Sequence, residues 1–374
     1  MSDALPTQEQ ADAFWAQMET FSGRVYRSLD LPSSGSPNGD AGWRSLGKPA
    51  GQPSGAALHW TASDSIVSTL KWFCDPASKV SAHMVVADRP LLWAEPLLDG
   101  LPLVAALPAT AVMCRNPEQT AWHVRNMDHV LFGIENQNVG TLSGKSNTLS
   151  WNAGTTLRPY RSDKAAITCF GSVFEPYTQA QLQTNVAILR YANATYNNTL
   201  QRALVLGHSC YQANTTGYPQ EDKRDPGLQF PIEDIRHAVF TPGAHVLPDG
   251  IAAAPYALAW RAQIARQAMF GFRQSEGRYS KNALQGIMTT VDQKIWLSFV
   301  ITCTRAIDVA QYPVLAYAMM ACLGFASGPD ATDDDVRVSL RMCQRLLGAT
   351  QDGIIGPKTA AALSSRFKNL FVGI

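Results

Sequence analysis

Apolar residues recur at helical spacing through residues 8–28 (Ala11, Phe14, Trp15, Met18, Phe21, Val25, Tyr26), which predicts an amphipathic helix. From Asp30 to Gly55 the chain turns to Ser, Gly and Pro, the composition of an irregular tether. Ala56–Trp60 then reads as a short buried strand, and Ser65–Cys74 as a helix capped by Ser63 or Asp64. Ser81–Ala87, Val130–Ile134 and Ala203–Leu206 are further strand-like runs, with a helical period over Gln179–Tyr196 between the last two. Beyond residue 245 the strand signals fade, and helical patterns take over at 255–272, 281–310 and 312–325. A polar break, GPDATDDD, precedes a last helical segment from Val336. The order predicts an α/β domain, a mixed central sheet flanked by helices, followed by an all-α C-terminal region. Boundaries near 55, 245 and 331 divide the chain into a helix with linker (1–54), the mixed domain (55–245), a helical region (246–331) and a short helical module (332–374).

Composition narrows the function classes. Of 374 residues 46% are hydrophobic and only 16% charged, so the chain folds around real cores. Lys plus Arg number 31 against Asp plus Glu 30, and this balance supplies no field to hold a nucleic acid or an acidic membrane face. The uncharged run Val309–Pro329 is interrupted by Gln311, Pro313, Gly324 and Gly328, and is read as a core helix rather than a membrane span, so no stable membrane insertion is expected. The seven cysteines show no CxxC spacing and are odd in number, which predicts reduced, mostly buried thiols. The first residues carry early acids and no basic-then-apolar run, so synthesis in the cytoplasm without a signal peptide is expected.

Three polar groups end apolar runs: His59 in ALHWTAS, Glu135 in LFGIENQ and His208 in LVLGHS. Strand ends hold a side chain rigidly, as a metal site requires. Downstream, KRDPG carries Lys223 and Asp225 just before a Pro-Gly turn. Two imidazoles and a carboxylate make a three-ligand set that leaves zinc a fourth position for water, the open arrangement of catalytic sites. Cys210 and Asp222 are nearby rival ligands, and His123 is an alternative to one of the three.

The ordered motifs ALHWTAS, SKVSAHMVV, AWH, GIENQN, LVLGHS and KRDPG, over about residues 55–240, resemble the zinc-dependent N-acetylmuramoyl-L-alanine amidases of type 2, whose fold peptidoglycan recognition proteins share. The resemblance implies the zinc-amidase type of α/β fold, a Zn2+ held by His59, His208 and Asp225, Glu135 as the acid that positions or deprotonates water, and Lys223 stabilising the oxyanion. It places His83 and His123 as histidines lining or supporting the site. Trp60, Trp122, Tyr211 and Tyr218 are candidates for stacking on sugar faces, or for packing. The segment between His208 and Asp225 is longer than is usual in the family, so the rim of the site is expected to be enlarged. Near the C-terminus, QRLLG followed by DGIIGPKT resembles a small helical peptidoglycan-binding module.

The expected activity is therefore cleavage of the amide between N-acetylmuramic acid and L-alanine, with peptidoglycan as partner and no nucleic acid. A lytic role follows, as an antibacterial effector of a secretion system, with an immunity protein as a further partner, or as a phage endolysin. The enzyme would then act on the wall, in the periplasm of a target cell or in a lysing host. The rival readings are a non-catalytic wall-recognition protein and a cytosolic amidase recycling muropeptides.

Overall fold

The computed structural model describes residues 4–32, 53–100, 107–124, 128, 130–144, 148–153, 156–160, 164–169, 172–211, 225–227, 229–244, 290–325 and 331–371. Helix α1 (Gln8–Ser28) starts where Thr7 and Gln10 cap each other's backbone amides, and its predicted apolar stripe is buried. It docks on α3 (Gln179–Thr195): Phe14 stacks on Tyr191 with ring centroids 4.0 Å apart, and the Trp15 indole donates to Thr195 at 2.7 Å. Helix α2 (Ile66–Cys74) follows β1 (Gly55–Trp60) and is capped by Ser65, whose hydroxyl accepts from Ser68 N. Ser63 instead receives the amide of Ser65, one step outside the helix, so neither expected cap serves.

The central sheet has five strands in the order β10–β1–β4–β2–β3, with β2 at Met84–Val86, β3 at Ala111–Met113, β4 at Leu131–Asn136 and β10 at Val205–Gly207. The first four are mutually parallel and β3 is an antiparallel edge, so the sheet is mixed as expected. The run Ala203–Leu206 is only half strand, because Arg202–Leu204 form a 3-10 turn before β10. Short antiparallel pairs among β5 (Thr141–Leu142), β6 (Ser150–Ala153), β7 (Thr156–Pro159), β8 (Ile167–Cys169) and β9 (Ser172–Phe174) fill the excursion between β4 and α3. That excursion is pinned by Lys164, whose ammonium lies 3.1 Å from Asp88 and 2.6 Å from Glu175.

Side chains alternate across the strands and build two apolar layers. Ala56, Leu58, Phe132, Ile134 and Val205 pack with α1, α2, α3 and α4 (Ile232–Phe240). Ala57, Leu131, Leu204 and Leu206 pack instead with the C-terminal helices α5 (Thr290–Cys303), α6 (Ala306–Gln311), α7 (Pro313–Cys322), α8 (Asp333–Leu346) and α9 (Pro357–Phe371). The single helical pattern expected over 281–310 is broken between α5 and α6, where Thr302 and Thr304 turn their hydroxyls back onto the carbonyls of Ser298 and Ile301. The pattern at 255–272 lies outside the described residues. Within Val309–Pro329 the chain forms the ten-residue α7, and none of the described helices is long and apolar enough to cross a membrane. The six cysteines whose side chains are described are buried thiols that form no disulfide with one another.

Candidate metal centre

Parallel pairing sets His59 of β1 directly opposite Glu135 of β4, on the sheet face shared with Ala57, Leu131 and Leu206. On the other side β10 pairs with β1 as far as Leu58 and Gly207, so His208 emerges from β10 beside His59. All three therefore sit at the carboxyl ends of parallel strands, where open α/β sheets place their ligands. The turn at Asp225 then folds back onto this edge, with Ser209 N donating to the Asp225 carbonyl at 2.9 Å.

The result is a convergence of ligand atoms. His59 Nδ1 and His208 Nδ1 each lie 3.0 Å from the same Asp225 Oδ2, and His59 Nδ1 is 3.9 Å from Glu135 Oε1. His59, His208 and Asp225 are buried and offer one donor atom each, all within 4.8 Å of one another, the only such metal-competent group among the described residues. Burial alone would raise the Asp225 pKa, but the two imidazoles outweigh it and hold the carboxyl well below its usual range. A deprotonated carboxylate and two imidazole nitrogens, spaced within reach of a single point, are a donor set that suits zinc.

Behind the ligands lies a second tier. His59 Nε2 is 3.0 Å from His123 Nδ1, so His123 fixes the ring orientation of His59. The His123 ring lies flat on β4 at Gly133, where any Cβ would fall 2.7 Å from it. His83 accepts from the Gly133 amide at 2.9 Å and donates to the Gln119 carbonyl at 2.8 Å. Burial pulls the His83 pKa down to about 4, which keeps it neutral. Burial also lowers His123, with the neighbouring imidazoles adding to the effect. Asp128 receives the amides of His123 and Val124, and burial pushes its pKa up to about 7 despite those two donors.

The remaining sequence candidates divide. Trp60 packs over Gly140 and Gly227 at the strand end. Trp122 donates its amide to the Ser81 hydroxyl and accepts the Ser81 amide on its carbonyl. Tyr211 is buried with its hydroxyl on the Leu204 carbonyl, a packing role that leaves no face for a sugar. The Cys210 thiol donates to the Leu323 carbonyl at 2.8 Å, so it belongs to the contact with the C-terminal helices. Lys223, Asp222 and Tyr218 lie outside the described residues. Sequence reasoning missed Asp128, and it missed Tyr177, whose hydroxyl clamps the ligand turn by donating to the Pro226 carbonyl at 2.8 Å. Neither carried a signal of its own, because each acts on the backbone of a motif from outside it, Asp128 on the His123 and Val124 amides and Tyr177 on the Pro226 carbonyl.

Residues 49–228 match the family described as N-acetylmuramoyl-L-alanine amidase. Among solved structures the chain is similar to the N-acetylmuramyl-L-alanine amidase AmiD from E. coli, in complex with anhydro-N-acetylmuramic acid-L-Ala-D-gamma-Glu-L-Lys, at 19% identity over 86% of this chain and 91% of that one, with a TM-score of 0.36. It is similar to AmpDH3 from Pseudomonas aeruginosa at 17% identity over 87% and 94% of the two chains, with a TM-score of 0.35. No curated protein sequence matches.

Proposed function

We propose that the protein, whose residues 49–228 match the N-acetylmuramoyl-L-alanine amidase family, is an amidase of that kind and hydrolyses intact peptidoglycan using zinc. The observation that carries this reading is the meeting of His59 Nδ1, His208 Nδ1 and Asp225 Oδ2 at the strand ends, with Glu135 alongside. His59, His208 and Asp225 would hold the ion, which when bound supplies Lewis acidity to the amide and to the attacking water. Glu135 takes the proton from that water and passes it to the departing L-alanine nitrogen, so the C–N bond breaks with a carboxylate left on the lactyl group. Lys223, two residues before Asp225, is proposed to approach the developing oxyanion. His123 keeps His59 turned toward Asp225, and neutral His83 braces the strand beneath it.

The peptidoglycan-binding resemblance of residues 344–359 supports wall polymer as the substrate over soluble fragments. It fits a lytic enzyme, a secreted antibacterial effector with an immunity partner or a phage endolysin. The test is release of stem peptides from purified sacculi, abolished by a chelator and by Glu135→Ala. Binding to sacculi with no peptide released in the presence of zinc would sink the enzymatic reading. A higher kcat/KM on soluble muropeptides than on sacculi would favour recycling.

A further inference from the structure

We infer that Arg366, on the last helix of the chain, is a positioning residue for the metal ligand His208, which makes the C-terminal helices a working part of the metal site. The inference rests on the zinc reading above. His208 opens a single helical turn, His208–Tyr211, that follows a strand of only three residues. So short an element does not hold itself rigid in water. Its rigidity comes from outside. The Arg366 guanidinium donates to the Ser209 carbonyl at 3.1 Å, the residue next to the ligand. The Cys210 thiol donates to the carbonyl of Leu323, just after α7. One helix further, the Ser339 hydroxyl reaches the Ala203 carbonyl at 3.4 Å, just ahead of β10.

The identity of the residue argues for its role. Arg366 stands on the inward face of α9 between Leu363 and Phe367, and all three are buried. Packing alone would be served there by another apolar residue, because a desolvated cation is unfavourable unless its donors are matched. Here the match includes the free carbonyl of a one-turn helix, which has no partner within so short an element. Loss of that donor would free the turn to rotate, and with it the Nδ1 of His208 relative to Asp225.

The test uses the full chain and zinc itself. Arg366→Met keeps the apolar stem and removes every donor, Arg366→Lys keeps one donor, and Arg337→Ala, which removes an exposed pair with Asp334 on the same module, is the control. Zinc affinity is measured by competition with a chromophoric chelator, alongside melting of the metal-free and zinc-loaded forms. Arg366→Met is expected to bind zinc about tenfold more weakly, the loss usual for an outer-sphere partner of a metal site. Arg366→Lys should fall between it and the wild type, because a lone ammonium does not reproduce the planar fork. Arg337→Ala should be unchanged. The melting temperature of the metal-free Met variant should stay close to wild type while its zinc-induced rise shrinks. Wild-type zinc affinity, within twofold, in the Arg366 variants overturns the inference, and if the Met variant does not fold, the Lys variant decides by the same threshold. A wild-type protein that binds no zinc removes the metal reading itself, a separate and recognisable failure.

Discussion

His59 and His208 offer the same atom, Nδ1, to the same carboxylate oxygen at the same 3.0 Å, yet they are held in opposite ways. His59 is the fifth residue of a six-residue strand with parallel neighbours on both sides. Its own carbonyl accepts from the Asn136 side chain at 3.1 Å, and Asn136 accepts in turn from Asn185 at 2.6 Å. His208 has left its strand and stands on one turn, secured by contacts from residues more than a hundred positions away. One ligand is positioned by secondary structure and the other by tertiary packing. Residues outside the sheet domain therefore help to hold a side chain of the candidate metal centre.

The comparison breaks most visibly when either ring is removed. His59→Ala and His208→Ala are each expected to abolish stoichiometric zinc and to lower kcat/KM by three or more decades, on the order of 4 kcal/mol of transition-state stabilisation. Metal analysis and stem-peptide release check this, and retention of one zinc per chain by either variant would remove that residue from the ligand set. Ending the chain before residue 331 tests the asymmetry more broadly. It strips Leu340, Leu346, Leu363 and Phe367 from the layer that covers Leu204 and Leu206. Each buried side chain of this kind contributes about 2 kcal/mol, so the truncated chain is expected to be insoluble or to melt at least ten degrees lower.

A smaller, sharper break is available on the His59 side. Gly133→Ala would place a Cβ 2.7 Å from the ring of His123, which is buried and already meets His59 at 3.0 Å. Overpacking of this kind costs about 1–3 kcal/mol. Because the displaced ring is the one that meets His59 Nε2, zinc affinity should fall as well as the melting temperature. A drop in melting temperature with unchanged zinc affinity would show that His123 packs against His59 without orienting it.

These two sides also differ in how far they can be read from sequence. Apolar runs ending in His59, Glu135 and His208 are visible because each is local to one strand, and KRDPG adds Asp225 because its turn chemistry is local too. The packing of α1 on α3 and the tie between Arg366 and Ser209 left no such mark. An arginine in a helical pattern predicts a solvated face, and only the three-dimensional partner turns it inward. Strands β2, β3 and β10, three residues each, were partly hidden or missed because so short an element has almost no period to detect. The Thr302–Thr304 break was hidden for the converse reason, since the apolar period runs straight through it.

The smallest expected effect on the site itself concerns the ground under His123. Asp128 has a folded pKa of about 7 because its carboxylate is buried, and Oδ2 has no hydrogen-bond partner among the described residues. A raised folded pKa contributes stability that is complete below the unfolded value near 4 and is lost as pH rises through 7. Asp128→Asn keeps an acceptor for the His123 and Val124 amides but does not ionise, so its melting temperature should equal wild type near pH 4 and exceed it increasingly up to pH 7, where the gap levels off. His83 has the opposite sign. Its folded pKa of about 4 lies below the unfolded 6.5, so its contribution is complete above pH 6.5 and is lost as pH falls toward 4. In the wild type the two slopes oppose each other between pH 4 and 6.5, each on the order of 3 kcal/mol. The Asn variant removes one of them, and its melting temperature should fall more steeply than that of wild type from pH 7 to pH 5. Parallel pH profiles for the two proteins would mean that Asp128 is ionised in the folded state across this range, and that the backbone amides it accepts outweigh its burial.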